Sequence, residues 1–165
     1  MASRRRGSMT GLNLSQFKAR IVLPVVQAMG PGGDAAVNLL TGTALAESGL
    51  SYLAQIQGPA LGLWQMEPVT HDDCWANWLR YQPDLTDEIL HLSGMVAQQP
   101  AITMVWNLRY ACALARVKYL RAPAPLPAAN DAAALSAYHK QNYNTVLGAA
   151  NAAHNVGLFQ QAIAA

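Results

Sequence analysis

Two glutamates and the residues around them are the part of this sequence best suited to acid–base chemistry. Glu47 closes the run Ala44-Leu45-Ala46-Glu47-Ser48-Gly49, and Glu67 follows Gly62-Leu63-Trp64-Gln65-Met66. A carboxylic acid breaks a glycosidic bond by protonating the leaving oxygen while positive charge grows on the sugar ring. To keep its proton near neutral pH, such an acid needs apolar surroundings that disfavour the charged form. Glu47 has Ala44, Leu45 and Ala46 before it and Leu50 after it. It also stands at a helix end, whose partial negative charge favours the neutral acid. By position alone Glu47 reads as an ordinary exposed helix-end glutamate, and the segment after it is what sets it apart. Glu67 has two readings: a second carboxylate that positions a water, or an N-terminal partner for a helix beginning at Pro68.

Other residue types invite chemistry less strongly. Trp64 is the best of four tryptophans for stacking on a sugar ring, whereas Trp75, Trp78 and Trp106 fall at core spacing. His71-Asp72-Asp73 has the composition of a metal or proton-relay site. Neighbouring residues on a helix point in different directions, however, and acids in a first turn also suit the helix dipole, so the structural reading is preferred. His91, His139 and His154 have no partners at ligand spacing, so neither a metal nor a cofactor is expected.

The elements that must position these residues are helical nearly throughout. Ser15 is a candidate cap for a first helix through Phe17, Val22 and Val26 to Gly30, with Pro24 expected to kink or split it. Pro31-Gly32-Gly33 is a turn, and Asp34 is the expected cap of a second helix that ends on Gly49. Ser51 to Gly62 loses helical character and reads as a loop or short ribbon. Pro68 suits the first turn of a third helix, Thr86 is a candidate cap for a fourth, and a long fifth helix is expected from Pro100 to Leu120. Ala122 to Pro127 is a stiff connector. Asn130 or Asp131 starts a sixth helix through Tyr138, and a seventh runs from Ala149 to Ala164. The fold class expected is mainly α, with one irregular or β-ribbon segment after the second helix. Residues 9–165 read as a single domain, and Met1 to Ser8, with its Arg4-Arg5-Arg6 run, reads as a disordered or vector-derived tail.

Ala46-Glu47-Ser48-Gly49, then Gly58, Ala60 and Gly62-Leu63-Trp64-Gln65-Met66-Glu67-Pro68, resembles the core signature of soluble lytic transglycosylases and goose-type lysozymes. In that family a Glu-Ser-Gly helix end is followed, across a short irregular segment, by Gly-Leu-x-Gln. The close match covers Ala44 to Pro68, and the rest agrees only in helical layout. The resemblance implies a lysozyme-like fold and cleavage of the β-1,4 bond between N-acetylmuramic acid and N-acetylglucosamine. It implies Glu47 as the acid, with Ser48 and Gln65 in the sugar-binding cleft. The family also has a late Tyr-Asn pair whose tyrosine approaches the catalytic glutamate. Ala134-Leu135-Ser136-Ala137-Tyr138 matches the lead-in to that pair, but His139 stands in place of Asn; Tyr143-Asn144 has the pair itself, displaced along the chain. Tyr138 is the favoured candidate on context, with Tyr143 beside it. Glu67 departs from the transglycosylase pattern, while goose-type lysozymes carry an aspartate there that helps position a water. A glycan-binding or structural virion protein that keeps the fold is the alternative from outside the enzyme class.

Composition bounds the partners. Apolar residues make up 52% of the 165-residue chain and charged residues 12%, which excludes a disordered polyelectrolyte. The net charge is +2, with three of the eleven basic residues in the N-terminal run, so nucleic acid is an unexpected partner. Cys74 and Cys112 satisfy either a disulfide or two buried thiols. No apolar run is long enough for a transmembrane segment, and no signal peptide is recognisable. The expected partner is the peptidoglycan glycan strand of the periplasmic cell wall. It would be reached by phage delivery, from the virion or through a holin, or by a longer protein of which this is one domain.

Overall fold

The computed structural model describes residues 11–144 and 151–165; the tail assigned to Met1–Ser8 lies outside them. The described residues are mainly helical. α1 (Leu14–Phe17) runs through a π-helical turn (Lys18–Val22) into α2 (Leu23–Ala28). Its cap is Asn13, whose side chain accepts from Gln16 N, and Ser15 lies inside the first turn. Pro24 does not split the segment: it lacks a donor, and the wider π turn before it absorbs the missing bond. α2 stops at Ala28, just short of Gly30.

α3 (Gly33–Ser48) starts from Gly32 rather than from a side-chain cap at Asp34, which sits in the first turn. The reason is tertiary: the buried Arg116 guanidinium donates to Pro31 O at 2.7 Å and fills the space where a side chain on Gly32 would go. Thr41, Thr43 and Ser48 are buried in α3, and each hydroxyl donates to the carbonyl one turn back. The helix ends at Gly49, in the left-handed region at φ 58°.

α4 (Pro68–Asn77) begins at its proline and is followed by a short 3-10 turn (Leu79–Tyr81). α5 (Pro83–Ser93) also starts on a proline; Thr86 is inside it and donates to Leu79 O, so it is not the cap. The long helix expected over Pro100–Leu120 is broken. α6 (Thr103–Trp106) ends at Asn107, whose extended backbone caps α7 (Leu108–Leu120) by accepting from Tyr110 N. The same amide donates to Ser93 O, tying the break to the end of α5. α8 (Ala132–Asn142) is capped by Asp131 and α9 (Ala152–Ala164) by Asn151. Both cysteines are buried free thiols.

The core gathers around α3 and α7, which are buried along most of their lengths. α9 lies against α3 and α8, and Lys18 clasps its end by donating to Ala162 O and Ala165 O. A Cβ on Gly42 of α3 would come within 2.3 Å of the Phe159 ring on α9, which is fully buried. Glycine inside a helix ordinarily costs about 0.5–1 kcal/mol relative to alanine, yet here it permits the closest helix approach. Gly42→Ala is therefore expected to destabilise the fold by about 1–3 kcal/mol, because overpacking outweighs the propensity gain. A guanidinium melt of unchanged or raised midpoint would contradict this packing.

Candidate active site

The irregular segment after α3 folds back over the end of that helix as a short ribbon. Isolated antiparallel bridges pair Ala54 with Leu61 and Leu61 with Met66. Gly62 adopts φ 73°, and a Cβ there would meet Met104 O at 2.5 Å, so the turn needs glycine. Trp64 then enters the core, 1% exposed, and donates its indole N–H to Leu40 O of α3 at 2.9 Å. Its own carbonyl accepts from the Tyr143 hydroxyl at 2.8 Å. The loop is thus fastened to α3 on one side and to the end of α8 on the other. Gln65, next in line, is held at φ 46°, a conformation costly for a residue with a side chain, and donates to Gly62 O.

These contacts enclose a cleft of about 440 Å³, whose lining includes Glu47, Gln65, Glu67, Lys118, Tyr143 and Asn144. Glu47 is half-buried at its end, and an adjoining depression carries it and Gln65 towards Tyr52 and Ile56. Tyr52 and Ile56 are exposed and give that mouth an apolar surface. Glu47 Oε1 is 3.1 Å from His139 Nε2, and it accepts from Asn144 Nδ2 at 3.4 Å. Lys118 donates to Tyr143 O and lies over the Tyr143 ring. Burial holds the Lys118 ammonium below the usual lysine range, opposed by the nearby charge of Glu47. Burial likewise pushes the Tyr143 and Tyr119 phenols well up, so both stay neutral hydroxyls. A larger depression of about 540 Å³ lies between α8 and α9. Its one carboxylate, Asp131, is occupied in capping α8, so the smaller cleft is the one equipped for chemistry.

The structure brings together Glu47, Gln65, Glu67 and Tyr143, and it removes three other residues from the cleft lining. Trp64 cannot be a sugar-stacking wall, because its ring is buried against the core and its N–H is spent on Leu40 O. Ser48 is buried, its hydroxyl donating to Ala44 O and accepting from Leu50 N; it finishes the helix instead of facing the cleft. Tyr138, favoured over Tyr143 on context, points the other way and donates to Ala124 O in the proline-rich connector. Glu67 occupies the cap position of α4 but makes no side-chain capping bond. It is exposed beside Glu47's cleft.

His71 departs from the neighbour-direction argument. Its Nδ1 is 2.8 Å from Asp72 Oδ1, while Nε2 meets the Tyr110 hydroxyl, which also accepts from Trp75. His71, Trp75 and Tyr110 form a buried strut between α4 and α7, while Asp72 is exposed. Trp75 is buried, but Trp106 is 62% exposed and does not pack as expected, because the break at Asn107 leaves it on a short surface turn. Among the described residues, no group of three or more His, Cys, Asp or Glu is arranged to hold a metal ion. Lys118 escaped sequence reasoning, and His139 is read there as having no partner at ligand spacing. The available signal was their position on buried helix faces, where a titratable side chain needs a partner.

The chain matches no protein-family model, no curated protein and no solved structure.

Tyr143→Phe should leave the buried Trp64 carbonyl without its donor and cost about 1–3 kcal/mol. Tyr138→Phe, whose partner lies nearer the surface, should cost about 0.5–1.5 kcal/mol. Equal losses in denaturant titrations would mean that the Tyr143–Trp64 bond does not fasten the loop.

Proposed function

We propose that this protein is a peptidoglycan glycosidase with a lysozyme-like catalytic arrangement, cleaving the β-1,4 bond between N-acetylmuramic acid and N-acetylglucosamine of the periplasmic wall. The observation that carries the reading is the meeting of Glu47 with Gln65, Glu67 and Tyr143 in one cleft, from segments far apart in sequence. The likeness of the Glu-Ser-Gly and Gly-Leu-Trp-Gln segments to lytic transglycosylases and goose-type lysozymes agrees with it. Glu47 acts as the acid towards the leaving oxygen. Gln65, fixed in its left-handed turn, and the amide of Asn144 offer hydrogen bonds along the cleft, and exposed Tyr52 supplies an aromatic face at its mouth.

Between hydrolysis and anhydro-ring formation, Glu67 favours hydrolysis. Its carboxylate lacks the capping bond that would explain it structurally. Inverting hydrolysis uses a second carboxylate about 6.5–9.5 Å from the acid, which leaves room for a water. The proposed route is delivery of the chain to the wall by a phage, from the virion or through a holin-type pore. The chemistry does not depend on it.

Incubation with purified peptidoglycan should release strands with reducing muramic ends. Glu47→Gln should lower the rate by at least about 100-fold, the lower range for a lost general acid. Glu67→Gln should slow release without abolishing binding of a chitooligosaccharide. Anhydro-muramic ends, unchanged by Glu67→Gln, would move the reaction to lytic transglycosylation. Undetectable cleavage by the wild type, or cleavage that survives Glu47→Gln, would leave the chain as a glycan-binding or structural protein.

A further inference from the structure

His139 is fully buried on α8, and its two ring nitrogens face different chains of contact. Nδ1 lies 3.1 Å from the Tyr119 hydroxyl of α7. That hydroxyl is 2.7 Å from Thr43 Oγ1 of α3, and Thr43 Oγ1 is 2.8 Å from Leu39 O. A carbonyl only accepts, so the single Thr43 proton goes to Leu39 O. Thr43 must then accept from Tyr119, whose single proton is thereby committed. Tyr119 can only accept from His139, and Nδ1 must carry a hydrogen. The carbonyl at one end of the chain dictates the tautomer of the imidazole at the other.

The consequence falls on Nε2, which lies 3.1 Å from Glu47 Oε1. With Nδ1 protonated, a neutral ring offers only a lone pair at Nε2. Nε2 is buried and has no hydrogen-bond partner among the described residues, so the ring turns an unsatisfied acceptor towards the Glu47 side chain. We infer that His139 is a positioning residue for Glu47, with the Thr43–Tyr119 chain fixing its tautomer so that the unpartnered Nε2 presents an acceptor to the Glu47 carboxyl.

Among the described residues, the groups facing this pair are few. α3 contributes Glu47 and Thr43, α7 contributes Tyr119 and Lys118, and α9 presents the apolar Phe159 ring. The chain leaving α8 adds Tyr143, stacked on the imidazole, and Asn144, with Glu67 across the cleft. Tyr119 and Tyr143 remain neutral, so neither competes for the proton.

Applied to the glycosidase reading, on which this part rests, Glu47 is the acid and His139 orients its carboxyl. Glu47 gives a proton to the leaving oxygen as the C1–O bond breaks, and both electrons of that bond depart with the oxygen. The water that attacks C1 gives its proton to Glu67, and Glu47 is reprotonated from solvent.

Long-range proton–nitrogen NMR of the nitrogen-15-labelled full chain tests the placement without any substrate. At neutral pH the His139 ring is expected to carry hydrogen on Nδ1, in the wild type and in Glu47→Gln alike. A neutral ring with its hydrogen on Nε2 would overturn the inference. Tyr119→Phe removes the acceptor at Nδ1 and frees the tautomer, so Nε2–H can then meet a carboxylate on Glu47. In that variant the same spectra should show hydrogen on Nε2 in a measurable fraction of the neutral rings. A ring that keeps its hydrogen on Nδ1 alone in Tyr119→Phe would reduce Tyr119 to a packing role and contradict the inference. If the wild type cleaves no glycan, the glycosidase reading fails, while the NMR result still decides the proton's place.

Discussion

The indole of Trp64 is the fastening on which the cleft depends. One residue donates from its side chain to α3 and accepts at its carbonyl from Tyr143, so the ribbon after Gly49 cannot lift from either helix without exposing a large aromatic ring. Burying such a ring contributes several kcal/mol in area terms. Each hydrogen bond adds only about 1 kcal/mol net, but leaving one unmade in the core costs more. Gln65 is strained beside this anchor, and the anchor is what holds it there. Strain at a residue that faces the cleft is tolerable only when its neighbours over-determine the backbone.

A second constraint is the treatment of buried polar groups. α3 carries Thr41, Thr43 and Ser48 in the core, α7 carries Arg116 and Tyr119, and α8 carries His139. The hydroxyls of α3 are largely satisfied within their own helix. The others reach across to neighbouring elements, so the polar interior also fixes how the helices are arranged around α3. The cleft opens where this network reaches the surface, at the ends of α3 and α8. A carboxylate placed there meets the ordered interior through one oxygen, Oε1, and lines the cleft.

What was legible in the sequence was local. Gly49 ended α3 because only a left-handed residue fits there, Pro68 opened α4, and Asp131 capped α8 through its own side chain. Each rule needs only a few adjacent residues. The break at Asn107 was hidden because the apolar pattern runs on through it; the deciding bond goes to Ser93, on another helix. The exchange of Tyr138 for Tyr143 has a similar origin. A sequence context locates a helix, but which side of it meets Glu47 depends on how α8 is turned by α9 and the proline-rich connector. Trp64 was placed in the right segment and on the wrong side of it, since a short ribbon offers no period long enough to separate inside from outside. His139 was unreadable because its partners, Glu47 and Tyr119, come from two other helices.

The unequal wetting of the tryptophans gives the chain an optical signature. Trp64 is enclosed by the core with its ring tilted against Phe17, whereas Trp106 stands 62% exposed on its short turn. Emission from the first belongs at the blue edge of the spectrum and from the second at the red edge. A dissolved quencher such as iodide reaches Trp106 first and leaves the enclosed rings of Trp64 and Trp75 emitting, so the packing of the core beneath the cleft can be followed by light.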